Sequence, residues 1–424
     1  MYCGTGMRRD EVIGGITTFL TMSYIIVVNP RILATAGTGL AFTAVMTATV
    51  VLAAVMTIGM GVYAELPFAV APGMGLNAYF TYTIVLRDRV PATTALALVA
   101  WAGVAFVLVS ATPLRETIAR AVPRHLRVAA AAGIGLLLAF IGLRNAGLLE
   151  PNPATFVAAG KLGRPAALFG FGLLVSLWLL LRRSSISLLA GIVLVTIAAA
   201  LLGDVKAPEH WTSAPDFSLA GKLDWLGALR LSYLPALLAI LLTDLFDSLS
   251  TFVGVAHATG LVDEQGEPRN LGRALLVDAL ATLGAGVLGT SSGTAYLESA
   301  AGIRAGGRTG AAAIVCGLCF LPFLFLGPTA QIVPAYATAP ALVIVGVFMF
   351  RGFTVPEPLE EALPAYATML LIPLTSSIAQ GILWGFVLHA AAFVLAKRWR
   401  ELSKTMWALA AVAVFALAIE NFRR

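Results

Sequence analysis

Two aspartates, Asp244 and Asp247, lie in the middle of the apolar stretch Ala236–Ala256, which reads ALLAILLTDLFDSLSTFVGVA. A charged side chain at the centre of a bilayer costs about 2.5–3.5 kcal/mol on insertion scales, so such residues usually face a protein interior or an aqueous cavity. On a helix, the two acids share one polar stripe, at i, i+3, i+4 and i+7 spacing, with Ser248 and Thr251. The carboxylates could serve packing alone, but intramembrane acids are functional by default. We therefore expect the stripe to line a polar cavity.

The composition of the chain is not that of a soluble domain. Of its 424 residues, 59% are hydrophobic and 12% are charged, whereas a soluble domain is typically about 25% charged. The apolar runs are continuous rather than alternating, which predicts membrane-spanning helices and not a barrel. A net charge of +6 would also suit a nucleic-acid-binding protein. However, the basic residues cluster beside apolar runs, as the positive-inside rule requires, so we expect no nucleic-acid partner.

Apolar runs of about 17–25 residues predict transmembrane helices, and shorter runs qualify where Gly or Pro interrupts them. This criterion gives fourteen candidate spans: Val12–Leu33, Phe42–Tyr63, Leu66–Ile84, Pro91–Thr112, Val128–Leu149, Pro165–Leu181, Ile186–Leu202, Tyr233–His257, Leu271–Leu288, Ser291–Ile303, Thr309–Leu326, Ala339–Phe350, Ala365–Ser377 and Gln380–Ala396. A fifteenth apolar stretch, Met406–Ile419, follows a basic linker, and residues 397–424 form a C-terminal segment with an interfacial or accessory helix.

The basic clusters orient these spans in the membrane. If fourteen spans are counted, five clusters fall on one side: Arg8/Arg9, Arg115/Arg120/Arg124/Arg127, Arg182/Arg183, Arg304/Arg308 and Lys397/Arg398/Arg400/Lys404. That side is predicted to be cytoplasmic, together with the N terminus, in a plasma or inner membrane. Arg87 and Arg89 fall on the opposite side and disagree with this orientation. Leu114–Val122 and Pro356–Ala362 are predicted as amphipathic stretches at the cytoplasmic surface.

The chain also repeats itself at the level of its motifs. Three pairs of segments correspond in the same order: AAAGIGLLLAFIGLRNAG with APALVIVGVFMFRGFT, RRSSISLLAGIVLV with PLTSSIAQGILWGF, and LPFAVAPGMGLNAYF with VLGTSSGTAYLESAAGI. Seven spans per half is an odd number, so the second half must be inverted relative to the first. We therefore predict a first repeat at residues 12–202, an extracytoplasmic loop at 203–230 and a second repeat at 231–396. The fold class is an all-α polytopic membrane protein with two inverted seven-helix repeats.

The third and tenth spans are predicted to be broken. Pro72 and Gly73 interrupt one, and Gly289 and Gly293 interrupt the other. Such a pair of short, interrupted segments at corresponding positions is the best sequence indicator of a transporter binding site. Each half-helix then begins near the midplane with its free N–H groups and positive dipole end directed at the cavity.

Asn77 and Glu298 lie four residues after Gly73 and Thr294, at matching positions in the two half-helices. Asp244, Asp247, Glu298 and the amide of Asn77 are therefore predicted to converge in one pocket. A carboxylate can accept hydrogen bonds from two N–H groups of a planar heterocycle, and an amide can donate one hydrogen bond and accept another along one edge.

Three further residues complete the predicted pocket. Phe80 and Tyr296, with Tyr79, are near enough in sequence to offer a stacking face, although ordinary helix packing also explains aromatic residues here. Thr294 is assigned to the pocket as well. A carboxylate withdrawn from water favours its protonated form. We therefore predict that Asp247 couples transport to protons, with Glu298 sharing this role, and that Asp244, Glu298 and Asn77 contact the solute.

Other polar residues within the spans have weaker assignments. Asp278 lies near the start of the ninth span and is predicted to be structural. Ser23 and Asn29, in the first span, could line the cavity. Cys316 and Cys319 form a C-x-x-C within an apolar run, but no second pair or histidine supports a metal site. No metal or cofactor is expected.

Five ordered motifs resemble those of the purine permeases of the azaguanine/hypoxanthine/guanine/adenine type, a branch of the nucleobase–cation symporter-2 group. They are GGITTFLTMSYIIVVNP, APGMGLNAYF, TDLFDSLSTFVGVA, GTSSGTAYLESAAGIRAGGRTG and IPLTSSIAQGI. The resemblance covers nearly the whole chain from Gly14 to Phe393. It implies the uracil-permease fold, with a core domain of spans 1–4 and 8–11 and a gate domain of spans 5–7 and 12–14. It also implies proton-coupled uptake of purine bases and a homodimer.

The resemblance places the family's eighth-span acids on Asp244 and Asp247, its tenth-span glutamate on Glu298 and its third-span asparagine on Asn77. The chain departs from the family pattern at three positions: Ser250 stands where Gly is usual, Ala295 where Thr is usual, and Arg304 where a small or acidic residue is usual. The first two departures bear on the substrate profile rather than on transport.

Other functions remain to be weighed. The same fold could carry uracil, xanthine or an inorganic anion, but three acids in the pocket argue against an anion. An intramembrane aspartyl protease would need acids from different helices, and Asp244 and Asp247 share one. A channel is disfavoured because no filter-like ring is visible. The sequence therefore predicts a transporter and not an enzyme.

Overall fold

A computed structural model of the chain describes residues 9–112, 122–262 and 268–423. The predicted amphipathic stretch Leu114–Val122 lies outside the described residues except for Val122, as do Arg8, Arg115 and Arg120. The helices are α1 (Arg9–Met22), α2 (Ile25–Leu33), α3 (Phe42–Gly59), α4 (Met74–Ala78), α5 (Ala92–Ser110), α6 (Arg124–Asn145), α7 (Arg164–Leu181), α8 (Ser187–Leu201), α9 (Leu234–Thr259), α10 (Leu271–Leu288), α11 (Ser299–Arg304), α12 (Gly310–Phe320), α13 (Gly327–Gln331), α14 (Ala335–Phe350), α15 (Leu359–Thr375), α16 (Ile378–Leu395) and α17 (Lys404–Arg423).

Short irregular helices and four strands complete the secondary structure. The strands are β1 (Val70–Pro72), β2 (Leu149–Asn152), β3 (Phe156–Ala159) and β4 (Gly293–Ala295). π-helical segments extend α3 through Met60–Ala64 and α4 through Tyr79–Arg87, and 3₁₀ turns lie at Gly227–Leu229, Leu231–Tyr233, Leu321–Phe325 and Trp399–Glu401.

Within the described residues, eight helical segments are long and apolar enough to cross a membrane. They are Arg9–Leu33, Phe42–Ala64, Ala92–Ser110, Arg124–Asn145, Arg164–Leu181, Leu231–Thr259, Leu271–Leu288 and Ile378–Leu395. Four shorter apolar helices accompany them: Ser187–Leu201, Gly310–Phe325, Ala335–Phe350 and Lys404–Ala418. The chain is therefore a largely helical multipass membrane protein, whereas the count of fourteen spans and the inverted relation of the repeats stay predictions.

The central helix α9 has clear start and stop signals. Pro235 lies in its first turn, where a missing N–H costs no hydrogen bond. The helix ends at Gly260, which adopts a left-handed conformation with φ of 70° and donates its N–H to the carbonyl of Ala256. Glycine takes up this conformation without steric penalty. The helix runs for 26 residues between these signals and carries both aspartates of the polar stripe at mid-length.

The predicted interruption of the third and tenth spans is confirmed. β1 and β4 pair antiparallel, with Val70 opposite Ala295 and Pro72 opposite Gly293. The N–H of Gly73 donates to the carbonyl of Ser292 at 2.8 Å, so the pairing continues past Pro72. The backbone groups that leave the helices therefore bond each other, as non-helical backbone at membrane depth requires.

The helices pack into two groups. The first, the site bundle, consists of α1–α5, α9–α12 and the two crossing strands; α5 packs along α10, and α12 packs against α1 and α3. The second, the flanking bundle, consists of α6–α8 and α14–α16, in which α6 packs along α14 and α15. The bundles touch where α4 meets α6, where α9 meets α16 and where α2 meets α14. That these two bundles are the core and gate domains implied by the resemblance stays a prediction.

Two features were not predicted from the sequence. β2 and β3 form a hairpin between α6 and α7, and the Asn152 side chain accepts hydrogen bonds from the N–H groups of Ala154 and Thr155 in its turn.

The loop at 203–230 lies across the site bundle, because Asp216 accepts a hydrogen bond from the Thr43 hydroxyl at 2.9 Å and Asp224 accepts one from the Thr94 hydroxyl at 2.9 Å. Hydrogen bonds from Ser218 and Thr43 lower the pKa of Asp216.

Candidate functional site

The candidate site lies where the crossing strands meet α9. Antiparallel pairing of β1 with β4 brings the beginnings of α4 and α11 to the same region of the site bundle. Asn77 lies in the single turn of α4, and Glu298 directly precedes α11. The structure thus places both residues next to the paired strands, at the starts of the two half-helices.

Glu298 accepts a hydrogen bond from the hydroxyl of Tyr24, with 2.8 Å between Oη and Oε1. Tyr24 is buried at the turn that joins α1 to α2. The hydroxyl fixes one carboxylate oxygen, while the Glu298 side chain as a whole is only half-buried. Tyr24 was not predicted as a site residue, although it belongs to the MSYIIVVNP motif beside Ser23.

Asp244 is completely buried and bonds to its own bundle rather than to an open cavity. Its Oδ2 atom accepts from the Ser292 hydroxyl at 2.7 Å and from the hydroxyl of Thr282 on α10. One turn further along α9, the hydroxyls of Ser248 and Thr294 lie 2.7 Å apart. The polar stripe on α9 therefore binds α10 and the segment that leads into β4.

Asp247 lies on the same helix but in a different environment. It is half-buried and lies within electrostatic range of Glu298. No hydrogen bond between described residues joins Asp244 to Glu298. The structure therefore brings Asp247, and not Asp244, next to the glutamate of the tenth span.

A fourth acid, Asp278 on α10, joins this group. It is completely buried and lies within electrostatic range of Asp244 and Asp247, next to Ser248 and the backbone of Ala295. From its position near the start of its span, Asp278 is predicted to have a structural role. The clustering of four acids in one region is visible only when α9, α10 and β4 are packed together.

None of these four carboxylates forms an ion pair with an arginine or lysine among the described residues. The ion pairs of the described part of the chain lie at helix ends and in loops, for example Arg398 with Glu360 and Arg87 with Asp88. Hydroxyl groups donate instead to two of these acids, Asp244 and Glu298. Because uncompensated negative charge is costly in an apolar interior, this arrangement favours sites that accept protons or a hydrogen-bond-donating ligand.

Three consecutive hydroxyl residues, Thr290, Ser291 and Ser292, hold the site together. Thr290 accepts from the amide of Asn29 at 2.8 Å, Ser291 donates to the amide oxygen of Asn77, and Ser292 donates to Asp244. This segment thereby connects α2, α4 and α9. The run of hydroxyls inside an apolar segment was a signal that the sequence analysis quoted but did not assign.

The remaining predicted residues have structural contacts. Tyr296 donates its hydroxyl to the carbonyl of Pro72 at 2.5 Å, which fastens β4 to β1. Phe80 is fully buried within the hydrophobic core. Asn77 is also fully buried, and its amide nitrogen lies 3.9 Å from the sulfur of Met74. Roles for these side chains in binding stay predictions.

Comparison with known proteins identifies the family. A sequence model of the xanthine/uracil permeases, described as a permease family, matches residues 9–383. The chain belongs to the xanthine/uracil permease family. It is 38% identical to the adenine permease AdeP of Escherichia coli over 93% of this chain and 89% of that protein. It is 38% identical to the guanine/hypoxanthine permease PbuG of Bacillus subtilis over 96% of this chain and 95% of that protein.

A solved structure shares the fold of this permease. The transmembrane domain of the cyanobacterial bicarbonate transporter BicA superposes with a TM-score of 0.67 at 19% identity, covering 88% of this chain and 97% of that one. The permease is therefore a transporter rather than an enzyme, and the sequence-based assignment to a purine permease family is confirmed.

Proposed function

We propose that this permease is a secondary active transporter that takes up purine nucleobases with protons by alternating access. Relatives named as adenine and as guanine/hypoxanthine permeases, similar over almost the whole chain, support the choice of purines. The observation that carries the proposal is the placement of Asn77 and Glu298 at the two half-helix starts, held by the paired strands β1 and β4. Their amide and carboxylate match the donor and acceptor edge of a flat heterocycle.

Glu298 and Asn77 hold the base in this proposal. The Tyr24 hydroxyl orients one oxygen of Glu298, so the other oxygen can accept an N–H of the base. Ser291 donates to the oxygen of Asn77 and so fixes which end of the amide remains as a donor. Thr294, Phe80 and Tyr296 shape the same pocket. Direct contact of Asp244 with the base would require Asp244 to exchange its bonds to Ser292 and Thr282.

Asp247 takes up the coupling proton, together with Glu298. The two acids are neighbours, and each is only half-buried. Adding a proton to one removes the repulsion between two carboxylates in an interior that screens charge poorly. A base and a proton are thus bound together more readily than either alone, which is the thermodynamic basis of symport.

Alternating access follows from the packing of the molecule. The site bundle carries every acid of the candidate site, and the flanking bundle meets it along a limited set of helices. Rocking of one bundle against the other would open the site to each side in turn. In this proposal the N terminus is cytoplasmic and the permease is a homodimer, as the sequence analysis predicts.

An inorganic anion is the alternative cargo, since the fold is shared with a bicarbonate transporter. At 19% identity this likeness concerns the fold alone. Four clustered carboxylates, two of them fully buried and none paired with a cation among the described residues, would repel an anion at the centre. A purine base, neutral and rich in N–H groups, is the better match.

Uptake measurements test the proposal. The permease is reconstituted in liposomes, and uptake of labelled adenine, guanine, hypoxanthine, uracil and bicarbonate is measured with an inward proton gradient, with and without an uncoupler. We expect purine uptake above the gradient-free level, which the uncoupler abolishes, and no uptake of bicarbonate. Uptake of bicarbonate without any purine would refute the proposal.

A further inference from the structure

A cavity of about 490 Å³ lies away from the acids, at the end of the bundle opposite Arg9. It lies between the ends of α2 and α6 and the start of α14, so residues of both bundles line it. Its volume falls within the range of small-molecule sites. The positive-inside prediction places this end outside the cell.

The cavity is positively charged. Arg31 from α2 and Arg144 from α6 line it, and its described lining includes no aspartate or glutamate. Neither arginine takes part in an ion pair between described residues. Polar groups of Thr35, Asn145 and Gln331 complete the wall. The charge is therefore opposite in sign to that of the acidic site, and it favours a solute edge rich in acceptors.

Each arginine lies against an aromatic ring. The Cζ atom of Arg31 is 5.1 Å from the ring centre of Phe42, and that of Arg144 is 6.0 Å from the ring centre of Tyr82. One terminal nitrogen of Arg31 donates to the carbonyl of Gln331, but its buried Nε has no acceptor among the described residues. A buried donor without an acceptor is destabilising until a ligand or water satisfies it. The cavity wall thus combines two aromatic rings, those of Phe42 and Tyr82, with an Arg31 N–H group that has no acceptor among the described residues.

The chemistry of such a wall selects one kind of purine. Arginine binds the adjacent O6 and N7 acceptors of guanine in bidentate fashion, whereas adenine presents an N6–H₂ donor beside N7. Hypoxanthine and guanine therefore match the two guanidinium groups, and adenine does not.

We propose that the cavity formed by Arg31, Phe42, Tyr82 and Arg144 is an outer binding subsite for 6-oxopurines. The inference rests on the proposed transport of purines and names the class that the cavity selects.

Two elements connect this subsite to the candidate site. Arg31 follows Tyr24, which binds Glu298, by seven residues, or roughly 10 Å at the helical rise. Tyr82 lies on the π-helical continuation of α4, whose first turn carries Asn77. Both elements therefore lead from the cavity to the candidate site.

The test compares two purines in the same liposomes. Michaelis constants and maximal rates for hypoxanthine and adenine are measured for the wild type, Arg31→Gln, Arg144→Gln, the double variant and Arg31→Lys. Arg164→Gln is the matched control, because Arg164 is exposed at the start of α7, 3.7 Å from Asp204 and outside the cavity. Size-exclusion profiles in detergent check that each variant is folded.

We expect the double variant to raise the Michaelis constant for hypoxanthine about fivefold, the lower limit for loss of one bidentate contact. Arg31→Lys should also raise it, since lysine lacks the planar pair of donors. The adenine constant, both maximal rates and the Arg164→Gln control should stay at wild-type values.

A structural role for the arginines would change both purines equally, so equal changes or no change overturn the subsite while purine transport stands. A wild type that carries adenine but not hypoxanthine also overturns the subsite alone. A wild type that carries no purine overturns the proposed function and the subsite together, before any variant is measured.

Discussion

At the scale of single residues, the permease holds two of the four carboxylates of the candidate site, Asp244 and Glu298, with hydroxyl groups, and none of the four is paired with a cation among the described residues. Tyr24, Thr282 and Ser292 each donate to one of the acids. A hydroxyl stabilises a carboxylate without neutralising it, and it can turn to accept when the acid is protonated. The site can therefore change its charge without breaking a salt bridge, which suits an acid that must bind and release a proton in each cycle.

Replacing Asp247 with asparagine removes the proposed proton acceptor while keeping its shape. A gradient of one pH unit drives about tenfold accumulation per proton carried. We expect D247N to lose this accumulation and to equilibrate the base across the membrane instead. The measurement is the ratio of labelled hypoxanthine inside and outside liposomes at a fixed pH gradient. Asp204→Asn, at a surface ion pair with Arg164, is the control; tenfold accumulation by D247N would contradict the assignment.

Replacing Tyr24 with phenylalanine removes a single hydroxyl from the site. A hydrogen bond to a charged group is worth about 1.5–3 kcal/mol, so the Michaelis constant for the base should rise by roughly tenfold or more. Protein abundance and thermal stability should change little, because the ring still fills its buried position. Tyr366→Phe is the control, since Tyr366 is exposed on α15. An unchanged Michaelis constant in Y24F would show that Glu298 does not need this donor.

The sequence identified the acids of α9 and Glu298 because a charge inside an apolar run is conspicuous on its own. It could not identify Tyr24, whose partner is 274 residues away along the chain. Nor could it show that Asp244 and Asp247 have different surroundings: both lie on one stripe, and only the packing of α10 shows that Asp244 turns inward. The sequence could not place Asp278 beside Asp244 for the same reason, because its position in its own span does not reveal its neighbours.

At the scale of elements, the ends of most long helices and the interruptions at β1 and β4 were predictable, whereas the pairing of these two strands was not. Pro72, Gly73 and Gly293 stop helices by local chemistry, which a sequence shows directly. The helices Ser187–Leu201 and Ala335–Phe350 have 15 and 16 residues, fewer than the roughly 20 that a straight helix needs to cross a bilayer. Their lengths depend on packing against neighbouring helices. The hairpin of β2 with β3 was missed because four-residue strands carry little periodicity.

Adding one methyl group at Gly73 tests the crossing of the strands. A Cβ atom there would lie 2.7 Å from the Thr294 methyl carbon, so either the Thr294 side chain or β4 must shift. That shift would separate Thr294 from Ser248. We expect Gly73→Ala to reduce purine uptake at least tenfold, since misplacement by about 1 Å can cost a site about two orders of magnitude. The permease should still reach the membrane, which a fluorescent C-terminal fusion reports.

The control for this substitution is Gly254→Ala on α9. Nothing lies within 4 Å of a Cβ atom at Gly254, and alanine favours the helix by about 0.5–1 kcal/mol. Uptake by G254A should therefore equal that of the wild type. Full uptake by G73A would mean that the spacing of β1 and β4 does not determine the geometry of the site.

At the scale of the whole molecule, the proposed alternating-access cycle requires the two bundles to move relative to each other. Two contacts join them at the outer end of the half-helix that follows β1: Thr83 donates to the carbonyl of Ser376, and Arg87 donates to the carbonyl of Thr375 at 2.7 Å. Both acceptors lie at the end of α15, in the flanking bundle. In an alternating-access cycle these contacts must break when the outer side opens, whereas a channel could keep them.

A reversible cross-link at this position distinguishes the two cases. Thr83→Cys and Ser376→Cys are introduced together in a chain whose own cysteines, Cys3, Cys316 and Cys319, are replaced by alanine. We expect oxidation to abolish uptake by the double variant and dithiothreitol to restore it, while each single variant is indifferent to both. The extent of cross-linking is read from mass spectra of the same liposomes. Because a disulfide allows almost no separation of its two backbones, undiminished uptake at complete cross-linking would mean that the bundles do not separate here.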